Sequence, residues 1–436
     1  IQNVTLNKNK LIEFLNWDYT SDDKTYFNEI HKVKPSHTLS FIDSNIIIEK
    51  YQLQNNLFAQ PRNTNTKANF KNFFYQSVSV LANKDKKIGV MMSGGLDSSA
   101  IAIALKENHY ENVHTYSANF SHVSDNKNLD ESVFQKNIAD LTSYSHSYIE
   151  MEGKSPIIPI QKFTKEFCQP LCFPNIYIYE EIINKLNADG IKILLDGSDG
   201  DNTISHGFEA LYAYFISLRF FKFIKEIFLY SKFKRASFMR LLYVFTKEAL
   251  RKLFKMQITE NKNSLLQNHI KVKKNPKNVI SFFSSHRKKL SIDLHVFANE
   301  SRNQLFRFFG IENFSPFYEE ELINFCINMP NENKISHGHT RKILRDFLSD
   351  FLPKSHFNRD KSILTPGAIK NFSLSDLKII KTEYENINKI LLDIIDIQML
   401  KNLFEKLDDS VEINEEELMN LQIFVSANTF LNTYQF

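Results

Sequence analysis

At Ile88 a short apolar run begins, ends at Met92, and gives way to Ser93-Gly94-Gly95-Leu96-Asp97-Ser98-Ser99 and then to apolar residues at helical spacing through Asn108. A strand that breaks on two glycines and resumes as a helix brings backbone N–H groups and the positive helix end to one point. Such a turn is an anion site, and the hydroxyls of Ser93, Ser98 and Ser99 add donors to it. A helix terminus alone contributes about 0.3–1 kcal/mol, too little to hold a polyphosphate, so a metal and cationic side chains must contribute. Asp97, an acid inside an anion-binding turn, is expected to ligate a divalent cation rather than touch phosphate. The bland alternative is an incidental strand-to-helix turn, against which the order strand, glycine loop, helix argues.

The same alternation continues. Val113–Ser117 and Ser147–Met151 read as strands, Asp130–Thr142 and Ile176–Ala188 as helices, and Ile191–Leu195 as a fourth strand. Repeated at this pitch, the pattern specifies an α/β chain with a doubly wound parallel sheet. Every strand-to-helix loop of such a sheet opens on its carboxyl edge, so Ser93–Ser99, Tyr116–Phe120 and Asp196–Asp201 should converge. The last of these, Asp196-Gly197-Ser198-Asp199-Gly200-Asp201, carries three carboxylates that would repel a phosphate unless a divalent cation lay between. Taken alone it could be a solvated Asp/Gly turn. Ahead of the sheet, strands at Thr38–Ile42 and Asn45–Tyr51 flank an Asp43-Ser44 turn. A polar stretch with Pro61 then reads as a linker, dividing the chain at 1–55, 56–69 and 70–436. From about Ile204 onward the spacing is almost entirely helical.

The net charge of +4 over 436 residues gives no domain-wide basic field, which argues against a nucleic-acid partner. Cys168, Cys172 and Cys326 form no paired framework; Cys168 and Cys172 have zinc-like spacing but no second pair, so buried reduced thiols in a reducing cytoplasm are expected. No apolar run is long enough to cross a bilayer. The chain begins with Ile1 rather than Met, from which processing or a piece of a longer protein is expected. Residues 216–256 hold eleven basic and two acidic residues, a local +9 that leaves −5 on the remainder. Interleaved Phe, Leu and Tyr make this stretch amphipathic: a helix pair with solvated basic faces, or a docking surface for an acidic partner, a leader peptide or an anionic membrane. A third cluster, Arg341, Lys342, Arg345, Arg359 and Lys361, would by itself be surface charge.

Ser93–Ser99 resembles the pyrophosphatase-type loop of enzymes that cleave ATP between its α and β phosphates. Asp130-Glu131, Pro316-Phe317-Tyr318-Glu319, Met329-Pro330, Gly338–Arg345 and Arg359-Asp360-Lys361 follow in the order and spacing of the asparagine synthetase family. The resemblance covers about residues 70–370, and residues 25–51 are similar to the last strands of that family's N-terminal glutaminase domain, of the Ntn type. It implies ATP and Mg²⁺ as cofactors, with Ser93, Gly94, Gly95, Ser98 and Ser99 on pyrophosphate, Ser117 and Gly197 on the nucleotide, and Asp97 and Asp201 on Mg²⁺. It also implies Lys361 as the lysine that stabilises charge when an amine attacks the acyl-adenylate, and Arg341 in place of a second phosphate-binding lysine. The partners it implies are a small-molecule or peptide carboxylate, an amine donor, and a separate glutaminase or peptide-binding protein.

Three departures accompany the resemblance. Only about 50 residues resemble the glutaminase domain and none is an N-terminal cysteine to hydrolyse glutamine, so either the true start is missing from this sequence or ammonia is not made here. Ser198 stands where asparagine synthetases carry a glutamate, and Lys361-Ser362-Ile363-Leu364 replaces the usual Lys-x-Gly-Phe. Relatives that keep the adenylating half and use an internal amine, such as β-lactam synthetases and lasso-peptide macrolactam cyclases, share that pattern. Two further readings stand beside amide ligation: thiolation of a nucleotide or tRNA, which would need a reactive cysteine at the loop, and a scaffold subunit without activity.

Overall fold

The computed structural model describes residues 4–51, 66–120, 131–171, 174–254, 265–270, 284–357, 365–409 and 412–436. Asp130, Cys172, the linker as far as residue 65 and Arg359-Asp360-Lys361 with the three residues after it lie outside the described residues.

The hairpin strands are β1 (His37–Ile42) and β2 (Asn45–Lys50), paired antiparallel from His37↔Lys50 to Ile42↔Asn45. Asp43 and Ser44 both take positive φ (49° and 63°), as a two-residue turn between twisted strands demands. The first long helix, Thr66–Leu81, starts inside the stretch expected to be linker, so residues 66–69 are helical.

The centre is a parallel sheet of β3 (Ile88–Met91), β4 (Val113–Asn119), β5 (Ser145–Glu150), β6 (Ile193–Leu195) and β7 (Glu312–Phe314), in the spatial order β5-β4-β3-β6-β7. All four pairings are parallel. Successive residues of one strand enter different cores: Ile88, Val90 and Leu195 pack with helices Thr66–Leu81, Leu96–Glu107 and Lys342–Leu348, whereas Met91 and Leu194 pack with Ile176–Ala188 and Glu415–Tyr434. Both faces are therefore covered at the centre of the sheet, which explains why β3 and β6 read as continuous apolar runs rather than alternating ones. Leu194 and Leu195 are fully buried, each contributing about 1.5–3 kcal/mol.

The expectation of almost pure helix beyond Ile204 needs correction. β7 is a fifth strand of the sheet, and β8 (Ile335–Ser336) and β9 (His339–Thr340) form a small hairpin. The segment 216–256 does form two helices, Phe220–Lys234 and Phe238–Leu253.

The topology locates the site. From β3 the chain proceeds to β4 and β5 on one side, then returns to lay β6 and β7 on the other. β3 and β6 are direct neighbours, with Val90 opposite Leu195, so the loops that leave their carboxyl ends emerge side by side at one edge of the sheet, where the strand order reverses.

Candidate active site

The loop after β3 is built as the sequence requires. Gly94 has φ +72°, and a Cβ there would stand 3.0 Å from Phe134 Cβ and 3.1 Å from the Gln135 nitrogen. Only glycine satisfies both the left-handed backbone and the close helix. Gly95 caps helix Leu96–Glu107 without a side-chain hydrogen bond to its first turn. The serines organise the loop: Ser93 N–H donates to Ser98 Oγ (3.2 Å), Gly95 N–H to Ser93 Oγ (3.2 Å), and the two hydroxyls lie 3.1 Å apart.

The loop after β6 lies directly on it. A Cβ on Gly197 would come within 2.9 Å of the Ser98 nitrogen and 3.0 Å of Asp97 Cβ; one on Gly200 would reach 2.6 Å from Asp97 Oδ1. These two glycines are the contact surface between segments a hundred residues apart in sequence. Arg341 completes the junction. Its Nη1 donates to Asp97 Oδ2 at 2.8 Å and Oδ1 at 3.2 Å, and the pair is largely buried. Arg341 adopts φ +52° at the cap of helix Lys342–Leu348, a conformation that costs a non-glycine residue about 1–2 kcal/mol. Of its basic neighbours, Lys342 pairs with Asp346, and Arg345 donates to the carbonyls of Thr340 and Phe357.

The three aspartates of the second loop have separate surroundings. Asp196 is buried and braces the turn: it accepts from Ser198 N–H (2.8 Å) and Asn313 Nδ2 (2.8 Å), with Arg302 Nε at 3.5 Å. Asp199 accepts from Tyr318 Oη and from Asn202 Nδ2 (2.8 Å), and His295 Nδ1 lies 3.4 Å away. Burial alone would raise its carboxyl, but the bonds from His295 and Tyr318 win and hold it far below the usual range. Asp201 stands in the first turn of helix Gly200–Ile204, which begins at Gly200 on top of Asp97. Its charge opposes the effect of burial on His206 and adds to that of Asp199 on His295.

Thus Ser93, Gly94, Gly95, Asp97, Ser98, Gly197 and Arg341 meet at one rim, with Asp201 on the adjoining turn. Two hydroxyls expected at the nucleotide, Ser99 on pyrophosphate and Ser117 on the nucleotide, have protein partners in this structure. Ser99 is fully buried with its Oγ 3.2 Å from His356 Nε2, and Ser117 donates to the carbonyl of Met92. Lys361 is among the residues outside the description. Sequence reading missed the brace beneath the second loop: Asn313 of β7, Ser315, which donates to the Ser198 carbonyl at 2.8 Å, and Tyr318. The Pro316–Glu319 motif was the available signal, since it brackets Tyr318.

The residues fit Mg²⁺ carried by a nucleotide. The ligands at the seam are the hard carboxylate oxygens of Asp97 and Asp201, those of Asp97 also accepting from Arg341. Two carboxylates with the phosphates of a substrate are the set Mg²⁺ ordinarily takes. Cys326 lies in the core on helix Glu320–Asn328, and burial pushes its thiol up to about 12, which makes it inert.

A parallel sheet with a glycine-serine loop and an aspartate loop at its switch point defines an α/β nucleotide-binding synthetase of the ATP-pyrophosphatase type. The asparagine synthase family model matches residues 69–432, so the chain belongs to that family, and the match extends some sixty residues past the stretch, about 70–370, over which the motifs resemble it. The family's chemistry is ATP-dependent ligation to form amides. Comparison with curated proteins gives no match. Among the described residues no helix is long and apolar enough to cross a membrane.

Proposed function

We propose that the chain activates a substrate carboxylate with ATP and passes the acyl group to an amine. The contact of Gly197 and Gly200 with Asp97 carries this reading, because it joins a phosphate-type turn to an acidic turn at one sheet edge. A carboxylate oxygen attacks the α-phosphorus and pyrophosphate leaves; the amine then attacks the acyl carbon, loses a proton, and AMP leaves. The N–H groups of the Gly94–Asp97 turn and the helix behind it would receive the phosphates, and Arg341 would add a fixed positive charge beside them. Mg²⁺, held by Asp97 and Asp201, would neutralise charge on the departing pyrophosphate. Most of the catalysis in such a site is positioning and electrostatic stabilisation.

Asparagine synthesis is the reference reaction. Ser198, standing where that reaction uses a glutamate on the amine side, favours a different amine, such as the internal amine of a macrolactam- or β-lactam-type closure. The test is exchange of labelled pyrophosphate into ATP across aspartate, other amino acids and peptides. Exchange dependent on one class of acid is expected, and Lys361→Ala should leave exchange standing while amide formation falls by about 10²–10³. Folded protein that catalyses no exchange with any acid, in the presence of Mg²⁺, would refute the reading and leave the scaffold.

A further inference from the structure

The helices Phe220–Lys234 and Phe238–Leu253 are joined by three residues and pack on a small core of their own, in which Phe223, Ile227, Phe245 and Ala249 meet Leu211 and Tyr214. That core uses only part of their apolar surface. On the first helix Phe220, Phe221, Ile224 and Phe228 continue the apolar arc outward and stay exposed, Phe221 at 82%. On the second, Met239, Tyr243, Leu250 and Leu253 do the same, with Met239 at 70%. A surface helix has no need of a second apolar stripe unless something covers it.

Cations edge both stripes. Lys225 and Lys232 follow the first at helical spacing; Arg240, Lys247 and Arg251 follow the second. Lys232 Nζ lies 4.4 Å from the centre of the Phe228 ring, and Lys247 Nζ 5.6 Å from that of Tyr243. The two acids of the segment are engaged within the protein: Glu226 accepts from the Gly338 N–H (2.8 Å), and Glu248 is buried with Arg251 at 3.8 Å. The outer face is thus apolar and cationic, on a chain whose remainder is net negative.

We propose that this helical hairpin docks the protein on an anionic phospholipid surface, its exposed apolar stripes in the interfacial layer and its lysines and arginines against the headgroups. Met239, Tyr243 and Leu250 line an open, almost wholly apolar hollow with Lys247 and Arg251 at its edge, and Phe221 and Phe228 stand exposed on the neighbouring helix. Apolar surface edged by cations over two helices suits acyl chains beneath anionic headgroups better than an acidic peptide, whose backbone and carboxylates would find no polar partner in that lining. Long basic side chains flanking an apolar stripe reach headgroups while their stems stay apolar. The chain would lie on the membrane rather than span it, and this docking is independent of the reaction proposed above.

Vesicle flotation of the full chain tests the proposal, with phosphatidylcholine alone against phosphatidylcholine mixed with phosphatidylglycerol. Binding to the anionic vesicles only, released by high salt, is expected. Removing three charges together (Lys225→Ala, Arg240→Ala, Lys247→Ala) should lower partition on the order of a hundredfold. Phe221→Ser with Met239→Ser should also release the protein, and, since both sites are exposed, without changing its melting temperature. Three results overturn the proposal: folded wild-type chain that ignores anionic vesicles, binding indifferent to salt and to both variants, or polyglutamate bound at this face while vesicles are not. The wild-type comparison stands even if a variant misfolds.

Discussion

Gly200→Ala adds a single methyl group at the seam between the two loops. Gly200 has no positive φ and begins a helix, so alanine suits its backbone and is favoured there by up to about 1 kcal/mol. The obstacle is Asp97. The new Cβ would lie 2.6 Å from Oδ1, 2.7 Å from Cγ and 3.0 Å from Cβ, whereas ordinary contact begins near 3.4 Å, so the carboxylate must retreat by about 0.8 Å. Asp97 cannot retreat without loosening its double bond to Arg341, which is also packed in place. Overpacking of this kind costs about 1–3 kcal/mol, partly offset by the helix gain, so the melting temperature should move little. A shift approaching 1 Å at a phosphate or metal ligand costs about 10² in rate. Steady-state pyrophosphate exchange by folded Gly200→Ala protein should therefore fall about a hundredfold. Exchange within a few-fold of wild type would mean that Asp97 is free to move and that its position is irrelevant, which refutes the reasoning.

Other substitutions separate structure from chemistry. Asn313→Ala removes a donor to Asp196 and the Arg302 acceptor 3.0 Å away, and should cost about 1–3 kcal/mol in chemical denaturation and also lower exchange; unchanged stability would refute the brace. Ser99→Ala removes the hydroxyl beside His356, so it should lower stability by about 1–2 kcal/mol while exchange stays within a few-fold; the reverse pattern would return Ser99 to the phosphate site. Burial pushes the imidazoles of His146 and His339 down to about 4, helped by His114 at the first and Arg345 at the second. Between pH about 6.5 and 4 the unfolded chain binds protons that the folded chain refuses, so stability should fall as pH falls, by at most about 1.4 kcal/mol per pH unit per site, and less for half-exposed rings. Urea midpoints across that window check it, and His146→Gln should flatten the slope; a midpoint that rises on acidification contradicts the assignment.

The sheet and its site were legible to different degrees. β3 and β6 stand out because strands buried on both faces are apolar runs, β4 because Val113, Thr115 and Tyr116 carry strand-forming side chains, and helix Ile176–Ala188 shows at its full length because its apolar residues recur at helical period. The meeting of the two loops was also legible, since parallel topology sends both to one edge. Less was legible where a contact depends on three dimensions. Asp97 and Arg341 are 244 positions apart, and only folding pairs them. Ser99 differs from Ser98 by one residue, yet at 3.6 residues per turn that step carries its hydroxyl from the loop into the core. β7 escaped because three residues, Glu312-Asn313-Phe314, are too few to set a period, and their role is to hold Asn313 against Asp196.

The claim on which the account depends is that Asp97 and Asp201 serve one nucleotide-borne cation. Electron paramagnetic resonance of Mn²⁺ with a non-hydrolysable ATP analogue addresses it directly, using wild type, Asp97→Asn and Asp201→Asn, each checked for folding. Tight Mn²⁺ in the wild-type ternary complex, weakened in both variants, is the predicted result. If either folded variant holds Mn²⁺ and nucleotide as the wild type does, the two loops do not share an ion and the account is contradicted.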